Sequence, residues 1–232
     1  MIAIYPASSR HAGDKGWLKS QLSFSFGDYY DENNTSFGPL RVFNNDIIQG
    51  GFGFGAHPHR EMEIVSIVLQ GELKHEDSTG ESAVTTWGGV QRMTAGTGLV
   101  HSEVNPGDED CHLLQIWVSP NESKLPPSYE TTTYDTNALK GRLLPIASHQ
   151  ASERVAFIHQ DLTMYLSELE EGQTIHFEQP EGRRIYLFVI EGRVAIDEGH
   201  ELGWRDTARI VDHPSLTIHA REKCLFLLID LP

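Results

Sequence analysis

The chain has 232 residues, enough for one large all-β unit or two domains of ordinary size with a real core. Apolar residues make up 39%, and the 21 glycines bring that to the usual share for a globular protein, which excludes a disordered or fibrous chain. A formal charge of −15, with no basic cluster denser than Arg183-Arg184, repels phosphate backbones and argues against direct nucleic-acid binding.

Met1 to Lys19 mixes Pro6, Arg10, Asp14 and Lys15 with apolar residues, and no apolar leader is expected there. Beyond it, short apolar or alternating runs recur between Gly, Asn, Asp and Pro punctuation. That is the pattern of many short strands in a sandwich or barrel. Leu40 to Phe43 is expected to stop at Asn44-Asn45-Asp46, and Glu63 to Leu69 at Gln70-Gly71. Leu73 to Glu76 turns at Asp77-Ser78-Thr79-Gly80, and Ala83 to Trp87 stops at Gly88-Gly89. Leu113 to Val118 closes at Ser119-Pro120. Residues 120–136 carry Pro126-Pro127 and a run of Ser, Thr and Asn, and read as an extended connector. The best helix candidate spans Ser148 to Arg154. Strand patterns resume at Ile185 to Ile190, Val194 to Ile196 and Ser215 to His219.

A short repeat, Val68-Leu69-Gln70-Gly71 against Val189-Ile190-Glu191-Gly192, points to two related halves. The expected division is therefore a first barrel over 1–119, a connector over 120–136 and a second barrel over 137–232. The longest nearly apolar run, Cys224 to Leu231, is too short to span a bilayer. Two cysteines, Cys111 and Cys224, cannot make a disulfide framework, so a reducing, cytoplasmic setting is expected.

Twelve histidines are the compositional oddity. In a strand, residues two apart point the same way, so His57 and His59 of Gly55-Ala56-His57-Pro58-His59 share a face. His101 and Glu103, after the Gly-rich turn Gly96-Thr97-Gly98, are again two apart. Two such strands facing each other in a barrel bring three imidazoles and one carboxylate to a point. That donor set suits Fe, Mn, Ni, Cu or Zn, and its lack of thiolate argues against a Cys-type structural zinc site. Open coordination positions would remain, as a catalytic metal requires. By parity Glu61 and Glu63 share the face of His57 and His59, and Glu63 could ligate in place of Glu103. Pro58 lacks a ladder donor, which implies an edge or a bulge. His11, His75, His112, His149, His159, His176, His200, His213 and His219 read as solvated or hydrogen-bonded imidazoles. Phe43, Phe52, Phe54 and Met93 flank the motifs, with plain core packing the preferred reading for each.

These residues resemble a cupin, and more narrowly a pirin. Gly51, His57, His59 and Glu63 meet the broad cupin pattern, with the closing Gly71 one residue late. In the second cupin element Gly98, His101 and Asn105 match and the usual Pro is missing. The pirin resemblance covers most of residues 10 to 118. Its blocks are Phe24-Ser25-Phe26 with Tyr30-Asp31, Phe37-Gly38-Pro39-Leu40-Arg41-Val42, and Gly53-Phe54-Gly55-Ala56-His57-Pro58-His59-Arg60. Glu63-Ile64-Val65, His75-Glu76-Asp77-Ser78-Thr79-Gly80, Met93-Thr94-Ala95-Gly96-Thr97-Gly98 and His101-Ser102-Glu103 follow in order.

The resemblance implies an all-β bicupin, two packed barrels of the double-stranded β-helix type, with metal in the N-terminal one alone. It implies His57, His59, His101 and Glu103 as ligands, favouring Glu103 over Glu63. The C-terminal half reads as lacking both H-x-H and H-x-E pairs and is expected to be metal-free. Bacterial pirins resemble quercetin 2,3-dioxygenases, which open the central ring of a flavonol with O₂ and release carbon monoxide. Glu103 is then the expected catalytic carboxylate, with Glu63 as fallback. The expected cofactor is one divalent transition metal, iron first, with Mn, Ni, Cu and Zn compatible. The expected partners are a small flavonol-like aromatic and O₂, with no nucleic acid and no membrane. The alternative is a non-enzymatic, metal-binding, redox-responsive regulatory protein with a protein partner, and a third option is a cupin isomerase or sugar-binding module.

Overall fold

The computed structural model describes residues 1–197 and 199–232. Strands dominate throughout, and the helical residues among those described are two short 3-10 turns, Ala7–Ser9 and Thr136–Leu139. No described helix is long and apolar enough to cross a membrane. The chain divides into two compact units. One comprises His11–Tyr134 and His149–Gln160, and the other Met1–Arg10, Asp135–Ser148 and Asp161–Pro232.

This division differs from the expected 1–119, 120–136 and 137–232. The first residues join the later unit because Ile2–Tyr5 pairs antiparallel with Thr207–Val211, a contact no local pattern announces. The 120–136 stretch is not a bare connector either. Its Tyr129-Glu130-Thr131-Thr132-Thr133 is rich in β-favouring side chains, and Ser128–Thr133 pairs along Gly89–Thr94. The helix expected over Ser148 to Arg154 is absent. Ser148 instead ends the strand Leu144–Ser148, where it lies opposite Thr163, and the residues after it bend and turn. So short a run with no apolar stripe cannot hold a helix by itself.

In the unit that carries the histidine motifs, the larger sheet has seven strands. Their order is Ser128–Thr133, Gly89–Thr94, Glu63–Gln70, Cys111–Val118, Leu40–Ile48, Leu18–Leu22 and His11–Asp14. A four-stranded sheet, Gly53–His59, Leu99–Val104, Glu72–Asp77 and Ser82–Thr86, completes it. Leu40–Ile48 runs straight through Asn44-Asn45-Asp46, where the sequence suggests a stop. Those residues are buried. Asn45 is held by Gln21 and His112, and burial pushes the Asp46 carboxyl up to about 7. Buried polar groups persist where partners meet them.

The second unit is built the same way. Its large sheet contains, in order, Ile2–Tyr5, Thr207–Val211, Arg184–Glu191, Cys224–Leu231, Thr163–Leu169 and Leu144–Ser148. Its small sheet is Thr174–Glu178, Ser215–Ala220, Val194–Ile196 and His200–Leu202. The faint sequence repeat has a structural counterpart. Gly71 and Gly192 both sit at a φ of +74°, and a Cβ on either would press on Cys111 or Cys224 respectively. Each cysteine opens the strand that pairs with the strand before its glycine. A left-handed turn and a close backbone approach together demand glycine.

Candidate metal centre

The strand Gly53–His59 lies at the edge of its sheet and pairs only with Leu99–Val104. An edge tolerates the missing donor of Pro58. The ladder slips between His101/His57 and Glu103/Phe54, which puts the bulge at Gly55-Ala56 and leaves His57 and His59 in phase. On Leu99–Val104 the burial alternates, with Leu99, His101 and Glu103 inward.

These two strands bring three imidazoles together. Ring centroids are 4.8 Å apart for His57–His59, 4.5 Å for His57–His101 and 4.8 Å for His59–His101. One nitrogen from each lies within 4.8 Å of the other two. His57 Nδ1 donates to the Gly55 carbonyl at 2.7 Å, which leaves its Nε2 as a lone pair. The Nε2 atoms of His59 and His101 are buried with no hydrogen-bond partner. An unpaired buried polar atom costs about 1–3 kcal/mol, and a cation seated among these nitrogens would satisfy both. Burial, reinforced by neighbouring imidazoles, lowers His59 to about 4 and His101 to about 3. Both are therefore neutral near pH 7, the state a metal needs. The residues fit a transition-metal ion.

Glu103 lies beside them, fully buried. One row of ladder partners, Gln91–Ser66–Gln115–Asn44, crosses four strands of the large sheet. Three of those side chains reach the carboxylate. Oε1 accepts from Ser66 Oγ at 3.1 Å and Gln91 Nε2 at 2.6 Å, and Oε2 accepts from Gln115 Nε2 at 2.6 Å. A carboxylate offers about four acceptor sites, so one remains, on Oε2. Burial raises the Glu103 pKa against the pull of these donors. Glu103 does not fall within the tight His57–His59–His101 group but joins His101 and His75 in an overlapping one.

His75, expected from the sequence to be an ordinary hydrogen-bonded imidazole, is a buried member of this second group. It is 1% exposed and its Nδ1 lies 3.3 Å from His101 Nδ1. Its Nε2 contacts Asp77 Oδ2 at 2.9 Å, and its ring stacks on Tyr129 at 4.0 Å. Burial raises the Asp77 pKa, but hydrogen bonds from His75, Thr79 and Glu81 outweigh it and hold the carboxyl below its ordinary value. The signal was present in the sequence: His75 and Asp77 are two apart on one strand.

Glu61 and Glu63 are not brought into the cavity. The strand ends at His59, and Glu61, at a φ of +51°, breaks the parity. Its carboxylate accepts the Lys124 backbone N–H. Glu63 is 0% exposed and lies on the opposite face of its strand from Ile64, which packs toward Trp117 and Tyr129. It accepts from Thr94 Oγ1, from the backbone N–H groups of His159 and Gln160, and from His159 Nδ1. Glu63 is thus a staple for the 149–160 segment. Replacing Glu63 by Ala strands those donors, at about 2–4 kcal/mol, and is expected to lower Tm by about 5–10 °C while metal uptake stays at the parental level. Scanning calorimetry and elemental analysis check this, and metal loss in a normally folded Glu63→Ala chain would count against the assignment. Asn105 is likewise structural, donating to the Ile48 and Glu109 carbonyls.

A cavity of about 380 Å³ opens beside His57 and Glu103, within the usual range for small-molecule sites. Its walls include Trp17, Phe26, Phe54 and Trp117. Trp117 also meets the His59 ring edge-on at 4.7 Å. Of the four flanking residues in the sequence, only Phe54 lines this space. Phe43 and Met93 are core, and Phe52 is half exposed against Trp17. A second cavity of about 480 Å³, lined by residues that include Pro58, Arg60 and Leu99, reaches His59. In the other unit the corresponding interior is apolar, filled by Leu187, Val189, Ile196, Ile218 and Phe226 among others. An H-x-E pair does occur there, contrary to the expectation from the sequence: His176 and Glu178 are exposed, with Phe177 between them buried.

Comparison with known proteins finds matches over nearly the whole chain. The family described as Pirin matches residues 6–118, and the one described as Quercetinase C-terminal cupin domain matches residues 145–231. A protein of Escherichia coli K12 named quercetin 2,3-dioxygenase is 40% identical, covering 100% of this chain and 99% of its own. A pirin-like protein of Caulobacter vibrioides is 35% identical over 99% of each chain. The crystal structure of the E. coli pirin YhhW in complex with nickel(II) has a TM-score of 0.94 and 37% identity, covering 100% of this chain and 99% of that one.

Proposed function

Since the chain belongs to the pirin family of bicupins, we propose that it is a metal-dependent dioxygenase that cleaves flavonols such as quercetin with O₂ and releases carbon monoxide. The observation that carries this is the convergence of three imidazoles, two with buried unpartnered nitrogens and the third, His57, lining an aromatic cavity together with Glu103. His57, His59 and His101 are the proposed ligands, with Glu103 completing the set through its remaining Oε2 site. One divalent transition metal is the cofactor, iron first, and the nickel complex of the E. coli relative supports a divalent ion of this kind. When bound, such an ion supplies Lewis acidity that makes a flavonol hydroxyl easier to ionise.

The side chains supply the rest. Trp17, Phe26, Phe54 and Trp117 offer flat apolar walls that orient an aromatic ligand and exclude water. Glu103 takes the hydroxyl proton at its Oε2 site when that oxygen is not engaged by the ion, a role for which a buried carboxylate of raised pKa is suited. Gln91, Ser66 and Gln115 hold it in place. The second barrel carries no metal in this reading, which its apolar interior supports. The two cysteines are free and buried, and burial raises Cys111 to about 12 and Cys224 to about 11, which suits a function that does not use a thiol.

The test is anaerobic loading of the purified chain with Fe(II), Mn(II), Ni(II), Cu(II) or Zn(II), followed by O₂ uptake and CO release with quercetin. Consumption of O₂ matched by CO, at about one ion per chain, is the expected result. Absence of turnover with every metal would leave the non-enzymatic, regulatory alternative in its place. About two ions per chain would show that the second barrel is not empty.

A further inference from the structure

We propose that Asp77 and His75 are positioning residues that fix the tautomer of His101, so that its Nε2 presents a lone pair to the metal. This rests on the reading of His101 as a ligand. An imidazole that ligates through Nε2 carries its hydrogen on Nδ1. Among the described residues, the atom placed to accept it is His75 Nδ1, 3.3 Å away. His75 must then carry its own hydrogen on Nε2, where Asp77 Oδ2 accepts it at 2.9 Å. Each link dictates the next. A ligating histidine commonly donates its second N–H to a carboxylate or carbonyl. Here the carboxylate acts one imidazole further out.

The rest of the arrangement holds this chain of contacts rigid. Tyr129 stacks on His75 with 9° between the ring planes, and its hydroxyl is fixed by Gln91 at 3.1 Å. Asp77 Oδ1 is occupied by the Thr79 N–H at 2.8 Å, the Thr79 hydroxyl at 2.6 Å and the Glu81 N–H at 3.3 Å. The turn therefore orients the carboxylate, and Oδ2 is left for His75. The ladder sets Asp77 opposite His101 and His75 opposite Glu103, so both motifs are in register by construction.

Asp77→Asn tests this sharply because the shape hardly changes. The Thr79 and Glu81 donors keep the asparagine oxygen at Oδ1, which turns its NH₂ toward His75. His75 Nε2 must then accept, its hydrogen moves to Nδ1, and His101 is driven to carry its hydrogen on Nε2, facing the ion. Cobalt(II) affinity, read by competition with a chelator and by the visible ligand-field spectrum, is expected to fall about 10- to 100-fold. His75→Leu, which offers no acceptor, should fall as far. In His75→Asn the amide oxygen takes the place of Nδ1, and affinity should stay within about threefold of the parent on the same scale.

A merely structural role predicts the reverse ranking, with Asp77→Asn the mildest. Parental cobalt affinity in a folded Asp77→Asn chain overturns the proposal. So does a His75→Asn chain that loses cobalt as completely as His101→Ala, because His75 would then be a ligand. A parent chain that takes up no cobalt overturns the metal-centre reading itself, and this one with it.

Discussion

Replacing His101 by alanine is expected to remove the ion and take quercetin turnover below detection while the barrel still folds. His101 is the one residue shared by both overlapping donor groups, His57–His59–His101 and His75–His101–Glu103. Wherever the ion sits between them, it loses a ligand. If about 10–16 kcal/mol of binding free energy is divided among four donors, each contributes roughly 2.5–4 kcal/mol. That corresponds to a loss of about 10²–10³ in affinity. The fold should tolerate the change, because His101 Nε2 makes no hydrogen bond and alanine forfeits only the long 3.3 Å Nδ1 contact with His75. Calorimetry separates the two effects. A ligand present at about 1,000 times its Kd stabilises the native state by about 4 kcal/mol, or roughly 10 °C in a chain of this size. The parent should show that shift on adding metal and His101→Ala should not, while their metal-free Tm values differ by only a few degrees. One ion per chain retained by the alanine variant would remove the three-imidazole seat from consideration.

What the sequence made legible was whatever the two-residue period of a strand encodes. Counting by twos puts His57 with His59, and separately His101 with Glu103, on common faces, and the burial pattern of Leu99–Val104 follows that alternation. What it hid depends on register between distant strands. Asn44-Asn45-Asp46 looks like a turn because three polar residues in succession seldom lie in a core. It is a strand because Asn44 continues the row of Ser66, Gln91 and Gln115 inside a polar barrel. His75 and Asp77 form a visible pair, yet their meaning lies in standing beside Leu99–Val104, which only sheet order reveals. Trp17, Phe26 and Trp117 reach one cavity from three separate segments. Glu63 shows the converse. It matched a sequence pattern at the right spacing, but the turn at residues 60–62 reversed its face and its carboxylate is spent on His159 and Gln160.

Glu103→Gln should be the more damaging of the near-isosteric changes in this barrel, and the reason is donor counting. All three contacts to the carboxylate are donors: Ser66 Oγ, Gln91 Nε2 and Gln115 Nε2. A glutamine must turn its NH₂ toward one side, so a donor would face a donor. The neighbouring amides cannot simply flip to accept. Gln91 Oε1 is held by the Thr85 hydroxyl at 3.3 Å and the Tyr129 hydroxyl at 3.1 Å, and Gln115 Oε1 by Trp117 Nε1 at 3.3 Å. The surroundings therefore specify an acceptor-only group, an ionised carboxylate, even though burial opposes the charge. Misdirecting one donor in so enclosed a place costs about 1–3 kcal/mol. Loss of the proton acceptor should lower kcat by a further 10²–10⁴, a range typical of general bases. Glu103→Asp is the informative companion, since it restores the charge with a shorter reach. If Glu103 acts as a base, Glu103→Asp should recover part of kcat where Glu103→Gln does not. Equal turnover by the parent and Glu103→Gln, measured as CO released per loaded chain, would take Glu103 out of the chemistry and leave it as a structural anchor of the polar row.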